Sequence, residues 1–210
     1  MTRIFTRLSP LLIMMMTSAC QLGSYGKSGP YYYTVQNPIA VQIPPNAPSV
    51  IQQFRPATGE LGRGNAGEHP GIDIYEARGT PILAAADGTV IASYSEPSYG
   101  QRIVIQHGQG PRGLPIQTVY KHLNSRAVQT GQTVRRGQQI GGLGNSGLLA
   151  AGILHLHFEV HEKHGPRTLP RDPHLFWAGG VGRITCFAPN AAVPLGHVTL
   201  SYPVKCKQPN

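Results

Sequence analysis

Glycine and proline fall throughout the chain and leave no long stretch untouched: 26 glycines and 19 prolines among 210 residues, about a fifth of the total. Each costs a helix interior about 1 to 3 kcal/mol, which excludes a helical bundle or coiled coil. Between these breakers lie short apolar runs. Residues 81–85 (PILAA) lead into the turn Asp87-Gly88, followed by 89–94 (TVIASY), 102–107 (RIVIQH), 117–120 (QTVY), 133–134 (TV), 139–141 (QIG) and 154–160 (LHLHFEV). Strand-like runs with turn signals roughly every eight to twelve residues predict an all-β domain, a compact antiparallel β-sandwich or barrel. No long helix and no internal repeat is read. The hydrophobic share of 40% excludes a wholly disordered chain.

The two ends have a different texture. Arg3 and Arg7 precede the apolar run 11–16, the small residues Thr17, Ser18 and Ala19, and then Cys20. This order describes a secretory signal over 1–19, and the run is far short of the ~20 apolar residues that span a bilayer. The small residues ending in Cys20 resemble a bacterial lipobox, although Thr17 stands where such a box usually has Leu. The plain alternative is ordinary cleavage near Ala19. On the lipobox reading Cys20 carries a lipid, and Gln21 after it sends the chain to the outer membrane, on the periplasmic face. Residues 20–60, rich in Pro, Gln, Tyr, Ser and Gly, read as a disordered tether. Cys186 and Cys206 are the other cysteines. In an exported chain they are expected to form a disulfide closing a C-terminal extension over 179–210, with free thiols or a metal pair as alternatives. Within it, 197–202 reads as a strand. Eighteen basic against nine acidic residues give a formal charge of +9. Such a field attracts nucleic acid, anionic lipid or anionic cell wall, and an export signal argues against nucleic acid.

The chemistry-bearing residues are mostly histidines. In a strand His155 and His157 share one face, about 7 Å apart, while Leu156 and Phe158 share the other. Alone, a His-x-His is more often solvent-facing or satisfied in a core. His69 and Asp73 flank Pro70 and Gly71, which deny a helix and suit a loop that bends both side chains inward. Alone, they read better as a surface ion pair. His122 follows the strand-like run 117–120 and alone is a surface histidine. Three protein ligands plus water is the open arrangement of catalytic zinc.

Taken together, the segments HPGIDI (69–74), GTPILAAADGTVIAS (79–93), YGQRIVIQHG (99–108), YKHL (120–123), GQTVRRGQQIGGLGNSG (131–147) and HLHFEV (155–160) resemble the lysostaphin/LytM family of zinc endopeptidases. Those enzymes cut peptidoglycan peptides. The resemblance covers roughly residues 60 to 162 and implies an endopeptidase domain over 61–178, with an open groove holding one zinc ion per chain. His69, Asp73 and His157 match its zinc ligands. His122 and His155 match the catalytic pair that attends the attacking water and the developing oxyanion, without a division of labour between them. The implied partner is peptidoglycan in the cell envelope; in a diderm envelope a D-alanyl–diaminopimelate cross-link is the expected bond. An activator protein is left open.

Glu159 falls on the nominal face of His157, either orienting a ligand or, as read here, facing solvent. His107 is expected in a structural place near the groove. His161, His164, His174 and His197 are read as surface residues. The link 148–154 is longer and more apolar than the family pattern. One rival is a non-catalytic peptidoglycan-binding adaptor that activates another hydrolase; such relatives lack ligands that this chain keeps. Another is a lipoyl- or biotin-carrier domain, suggested by GQTVRRGQQIG but lacking a modifiable Lys in a tight turn.

Overall fold

The computed structural model describes residues 39–56 and 68–208. Its strands, in chain order, are β1 (Ser49–Gln52), β2 (Ile72–Tyr75), β3 (Pro81–Leu83), β4 (Gly88–Glu96), β5 (Gly100–Gln109), β6 (Pro115–Leu123), β7 (Ser125–Arg126), β8 (Thr133–Val134), β9 (Gln139–Gly142), β10 (Leu156–His164) and β11 (Arg167–Arg171). Helical structure among the described residues is confined to two 3-10 turns, Leu148–Ala150 and Pro173–Leu175. The larger sheet runs β1-β2-β10-β6-β5-β4-β8, with β11 also on β10; the smaller runs β3-β9-β7. Every pairing of these strands is antiparallel. The all-β antiparallel fold expected from the breaker spacing is the fold observed.

Strand alternation decides what goes inside. On β10, Leu156, Phe158 and Val160 are fully buried, and Ile72 and Ile74 of β2 pair beside them in the same core. Ile103, Ile105, Ile116 and Tyr120 continue that face, and Ile82 and Ile140 of the smaller sheet close it, with Leu143 just after β9. Each such side chain contributes about 1.5–3 kcal/mol on burial. The Tyr120 hydroxyl accepts from the backbone of Ala85 at 3.0 Å and so ties β6 to the connection between β3 and β4.

Both flanking segments join this core, which corrects the expected boundaries. Of the tether drawn over 20–60, residues 39–56 are part of the fold: β1 pairs with β2, and the carbonyl of buried Pro48 accepts from the Tyr202 hydroxyl at 2.9 Å. Proline-rich composition hid a short edge strand, a place where proline is tolerated. The extension 179–210 is likewise no appendage over its described part. Leu200, Tyr202 and Val204 are buried in the common core, and Cys186 is bonded to Cys206 as expected. The stretch 197–202 forms no strand; it makes single bridges, Leu200 with Trp177 and, just beyond, Val204 with Ile82. The expected signal, Cys20, residues 20–38 and 57–60 of the tether all lie outside the described residues.

Candidate metal centre

The sheet register brings the expected ligands together. Asp73 of β2 pairs with His157 of β10, which pairs in turn with Lys121 of β6, so their side chains form one row on the face away from the core. His69 reaches the same row from the segment before β2, where its backbone exchanges hydrogen bonds with Arg55 at 2.9 and 3.0 Å. Gly71 makes this approach possible, because a Cβ there would sit 2.2 Å from the Phe158 carbonyl. His155 lies just ahead of β10, its N–H bonded to the carbonyl of Gly144.

His122 arrives by a different device. Strict alternation would put it on the core side with Tyr120. Between the pairs Ile103–Tyr120 and Gln101–Leu123, however, β6 takes three steps against two on β5. The extra residue is a bulge at His122, whose φ of 64° lies in the left-handed region. That conformation costs roughly 1–2 kcal/mol for a residue with a Cβ, and it turns the imidazole toward the row of Asp73 and His157. Its ring centroid sits 4.8 Å from that of His155. Ser146 fixes it by accepting from Nδ1 at 2.8 Å.

The hydrogen bonds on the outer sides of the rings determine what their inner nitrogens offer. The Nδ1 of His69, His122 and His155 face the carbonyls of Gln53 (2.8 Å), Ser146 (2.8 Å) and Ile153 (3.0 Å). A carbonyl can only accept, so these nitrogens carry the proton and each Nε2 is bare in the neutral ring. His157 is oriented the other way, with Nε2 donating to Glu159 at 2.8 Å and Nδ1 turned inward. Three acceptors therefore converge: His69 Nε2 and His157 Nδ1 at 3.1 Å, His69 Nε2 and Asp73 Oδ1 at 3.1 Å, His157 Nδ1 and Asp73 Oδ1 at 2.8 Å. Such a set repels itself unless a cation or proton lies between. Tetrahedral zinc with bonds near 2.0 Å separates its ligand atoms by about 3.3 Å, within about half an ångström of these distances. This is the one cluster of potential metal ligands found among the described residues.

Electrostatics agree with a site that calls for positive charge. Burial alone would raise the Asp73 carboxyl, but its contacts with His157 and then His69 hold it well below the usual carboxylate range. Burial would lower His157, yet hydrogen bonds and charge from Asp73 and Glu159 together raise it. Burial pushes His122 down to about 4 despite the Ser146 carbonyl, and lowers His155 despite Asp73. Both are neutral bases at neutral pH.

Several sequence expectations need correction. Glu159 does not face solvent: it is 2% exposed. Burial would raise its carboxyl, but hydrogen bonds from His157 and His161 and the charge of Lys121 hold it well below the normal value. Lys121, itself 5% exposed, reaches Glu159 Oε1 at 2.5 Å and lies over the Tyr99 ring at 3.8 Å. His174 is fully buried rather than superficial, and His161 is tied to Glu159 at 2.7 Å. His107 is structural but away from the cleft, bonded to Asp87 and to Thr118, which precedes His122 on β6 by four residues, or about 13 Å of strand. His164 is half-buried, and His197 is exposed as read.

The histidines open into a cleft of about 300 Å³, also lined by Gln52, Arg55, Tyr99, Lys121 and Leu149. The apolar link beside it shows Leu148, Leu149 and Ile153 to solvent. A somewhat larger cavity between β3 and the disulfide-closed tail contains none of these histidines.

Residues 67–169 match Peptidase family M23. The chain carries an M23 peptidase domain. It is 34% identical over 125 residues to an uncharacterized metalloprotease of Haemophilus influenzae, covering 59% of this chain and 24% of that protein. It is 39% identical over 92 residues to the peptidoglycan DD-endopeptidase ShyA of Vibrio cholerae, covering 44% and 20% respectively. The chain thus spans about a quarter or less of the length of these two relatives. The antimicrobial peptidase lysostaphin from Staphylococcus simulans shares the fold, with a TM-score of 0.53 at 24% identity over 71% of this chain and 57% of that one. Within the M23 domain, sequence reasoning missed Lys121, Tyr99 and the Ser146 carbonyl, and outside it Gln53. Only Lys121 left a trace, as the residue between Tyr120 and His122 that must share the face of His157.

Proposed function

We propose that this M23 domain is a zinc-dependent endopeptidase that hydrolyses peptide cross-links of bacterial peptidoglycan. The observation that carries the proposal is the meeting of three lone pairs, from His69, Asp73 and His157, beside two neutral imidazoles. His69, Asp73 and His157 would hold one zinc ion. When bound, zinc lowers the pKa of water toward ~7 and polarises a scissile carbonyl. The bare Nε2 atoms of His122 and His155 face the same cleft. One accepts the proton of the attacking water and, as the imidazolium so formed, faces the developing oxyanion before that proton passes to the leaving amine; the other, neutral, accepts a hydrogen bond from the same water. Their outward Nδ1–H bonds to Ser146 and Ile153 hold both rings in the tautomer this requires.

The named activities of relatives such as ShyA support peptidoglycan as the substrate and the cell envelope as the location. The expected signal over 1–19, the lipid on Cys20 and outer-membrane anchoring belong to the same reading, with a D-alanyl–diaminopimelate bond as the target. The catalytic domain drawn over 61–178 is retained, braced by the packed flanks on either side. An adaptor has no use for a complete donor set with its tautomers locked. The test is digestion of purified sacculi with mass spectrometry of the released fragments. Loss of cross-linked dimers, stopped by chelator and absent with His157→Ala, is expected. Intact dimers with zinc-loaded protein would refute the enzyme reading and favour the adaptor.

A further inference from the structure

The M23 match begins at residue 67, yet His69 takes its orientation from further upstream. Among the described residues, the partner of its outer nitrogen is the backbone carbonyl of Gln53 at 2.8 Å. Gln53 follows edge strand β1, and an edge strand alone is a poor place from which to fix a metal ligand. Its side chain makes up the difference. Gln53 Oε1 lies 2.8 Å from Nε2 of His174, and Nδ1 of His174 accepts from the Trp177 indole at 2.9 Å. An indole can only donate, so His174 carries its proton on Nε2 and donates it to Gln53. His174 is fully buried, and Trp177 stacks on Phe158, the core neighbour of His157, with ring centroids 6.3 Å apart. The same segment is pinned at Pro48 by Tyr202 and at Arg55 by the His69 backbone.

We infer that Gln53 is a positioning residue of the metal centre: the chain Trp177–His174–Gln53 locks the carbonyl that holds His69 with Nε2 bare toward the metal. All three residues lie outside the matched span 67–169. The segment before the domain and the one after it therefore complete the centre together, and the matched region alone lacks this lock. A surface strap on β2 would need only β1; the buried His174 aimed at a half-buried amide is what the strap reading leaves unexplained.

This inference rests on the metal reading above, and its test separates the two. Zinc affinity of the full chain is measured by chelator competition for wild type, Gln53→Leu and Gln53→Glu. Gln53→Leu should bind zinc about ten- to a hundredfold more weakly, the usual cost of losing a second-layer partner, whereas Gln53→Glu keeps an acceptor for His174 and should stay within about threefold. In the metal-free protein, long-range 1H–15N spectra should show His69 protonated at Nδ1 in wild type and in Gln53→Glu, and a mixture of tautomers in Gln53→Leu. That readout needs no metal, so it holds even if wild type fails to bind zinc, a result that would overturn the metal reading itself. Gln53 is half-buried and the Leu variant is expected to fold; His174→Phe is the second variant and should show the same mixture. Unchanged zinc affinity and an unchanged His69 tautomer in folded Gln53→Leu would overturn the inference.

Discussion

Replacing Glu159 with Gln tests how strongly the centre depends on what lies behind it. The Lys121–Glu159 pair is almost fully buried at 2.5 Å. At an effective dielectric near 20 the gross attraction is about 7 kcal/mol, from which the desolvation of both groups must be subtracted. Removing one partner leaves Lys121 charged and uncompensated, at a cost of about 3–5 kcal/mol. The amide oxygen of the substituted side chain can still accept from His157, so the loss is chiefly electrostatic. Guanidinium denaturation in excess chelator keeps bound metal out of the measured stability. Glu159→Gln should lose about 3–5 kcal/mol, and adding Lys121→Met should recover most of it, because the stranded charge is then gone. A single variant within ~0.5 kcal/mol of wild type would refute the claim that this pair is buried and mutually dependent.

Three further outcomes follow from the geometry. His122→Ala should lower kcat about 10²- to 10⁴-fold while leaving zinc affinity nearly unchanged, since His122 stands beside the ligand row rather than in it; loss of zinc in a chelator titration would contradict this. His107 and His174 are each pushed by burial from an ordinary 6.5 down to about 4. The unfolded chain binds these protons first, so stability is whole above pH ~6.5 and falls toward pH 4 by about 3 kcal/mol per histidine. His107→Gln should flatten that fall in denaturation curves taken at pH 7 and pH 4, and an unchanged pH dependence would count against it. Leu149, 59% exposed at the rim of the cleft, should raise KM when changed to Ser, with stability altered by less than ~0.5 kcal/mol; an unchanged KM would remove the link from substrate contact.

Where side-chain period and breakers decided the structure, it was legible. The run 154–160 showed its alternation openly, so Leu156 and Phe158 could be assigned to the core and His155 and His157 to the other face. His69, Asp73 and His157 could be grouped only because their segments together resemble a known family. His122 was legible as a residue but not as a geometry, since the β6 bulge breaks the alternation by which a strand is read. Glu159 was misjudged for a physical reason: a carboxylate is buried only with partners, and Lys121 and His161 become its partners through cross-strand register and side-chain reach. Gln53 and His174 lie 121 residues apart, and nothing local links them. The packed flank 39–56 was hidden by its composition, because proline and glutamine suit a tether and an edge strand alike.

The central claim is that three lone pairs with locked tautomers form one zinc site. X-ray absorption at the zinc edge, on protein loaded with one equivalent, tests it most directly. The expected result is a four-coordinate centre with two imidazole nitrogens and one carboxylate oxygen at about 2.0–2.2 Å, plus one further light atom, and loss of the imidazole scattering in His69→Ala and His157→Ala. A six-coordinate hydrated ion, or imidazole scattering that survives both substitutions, would contradict it.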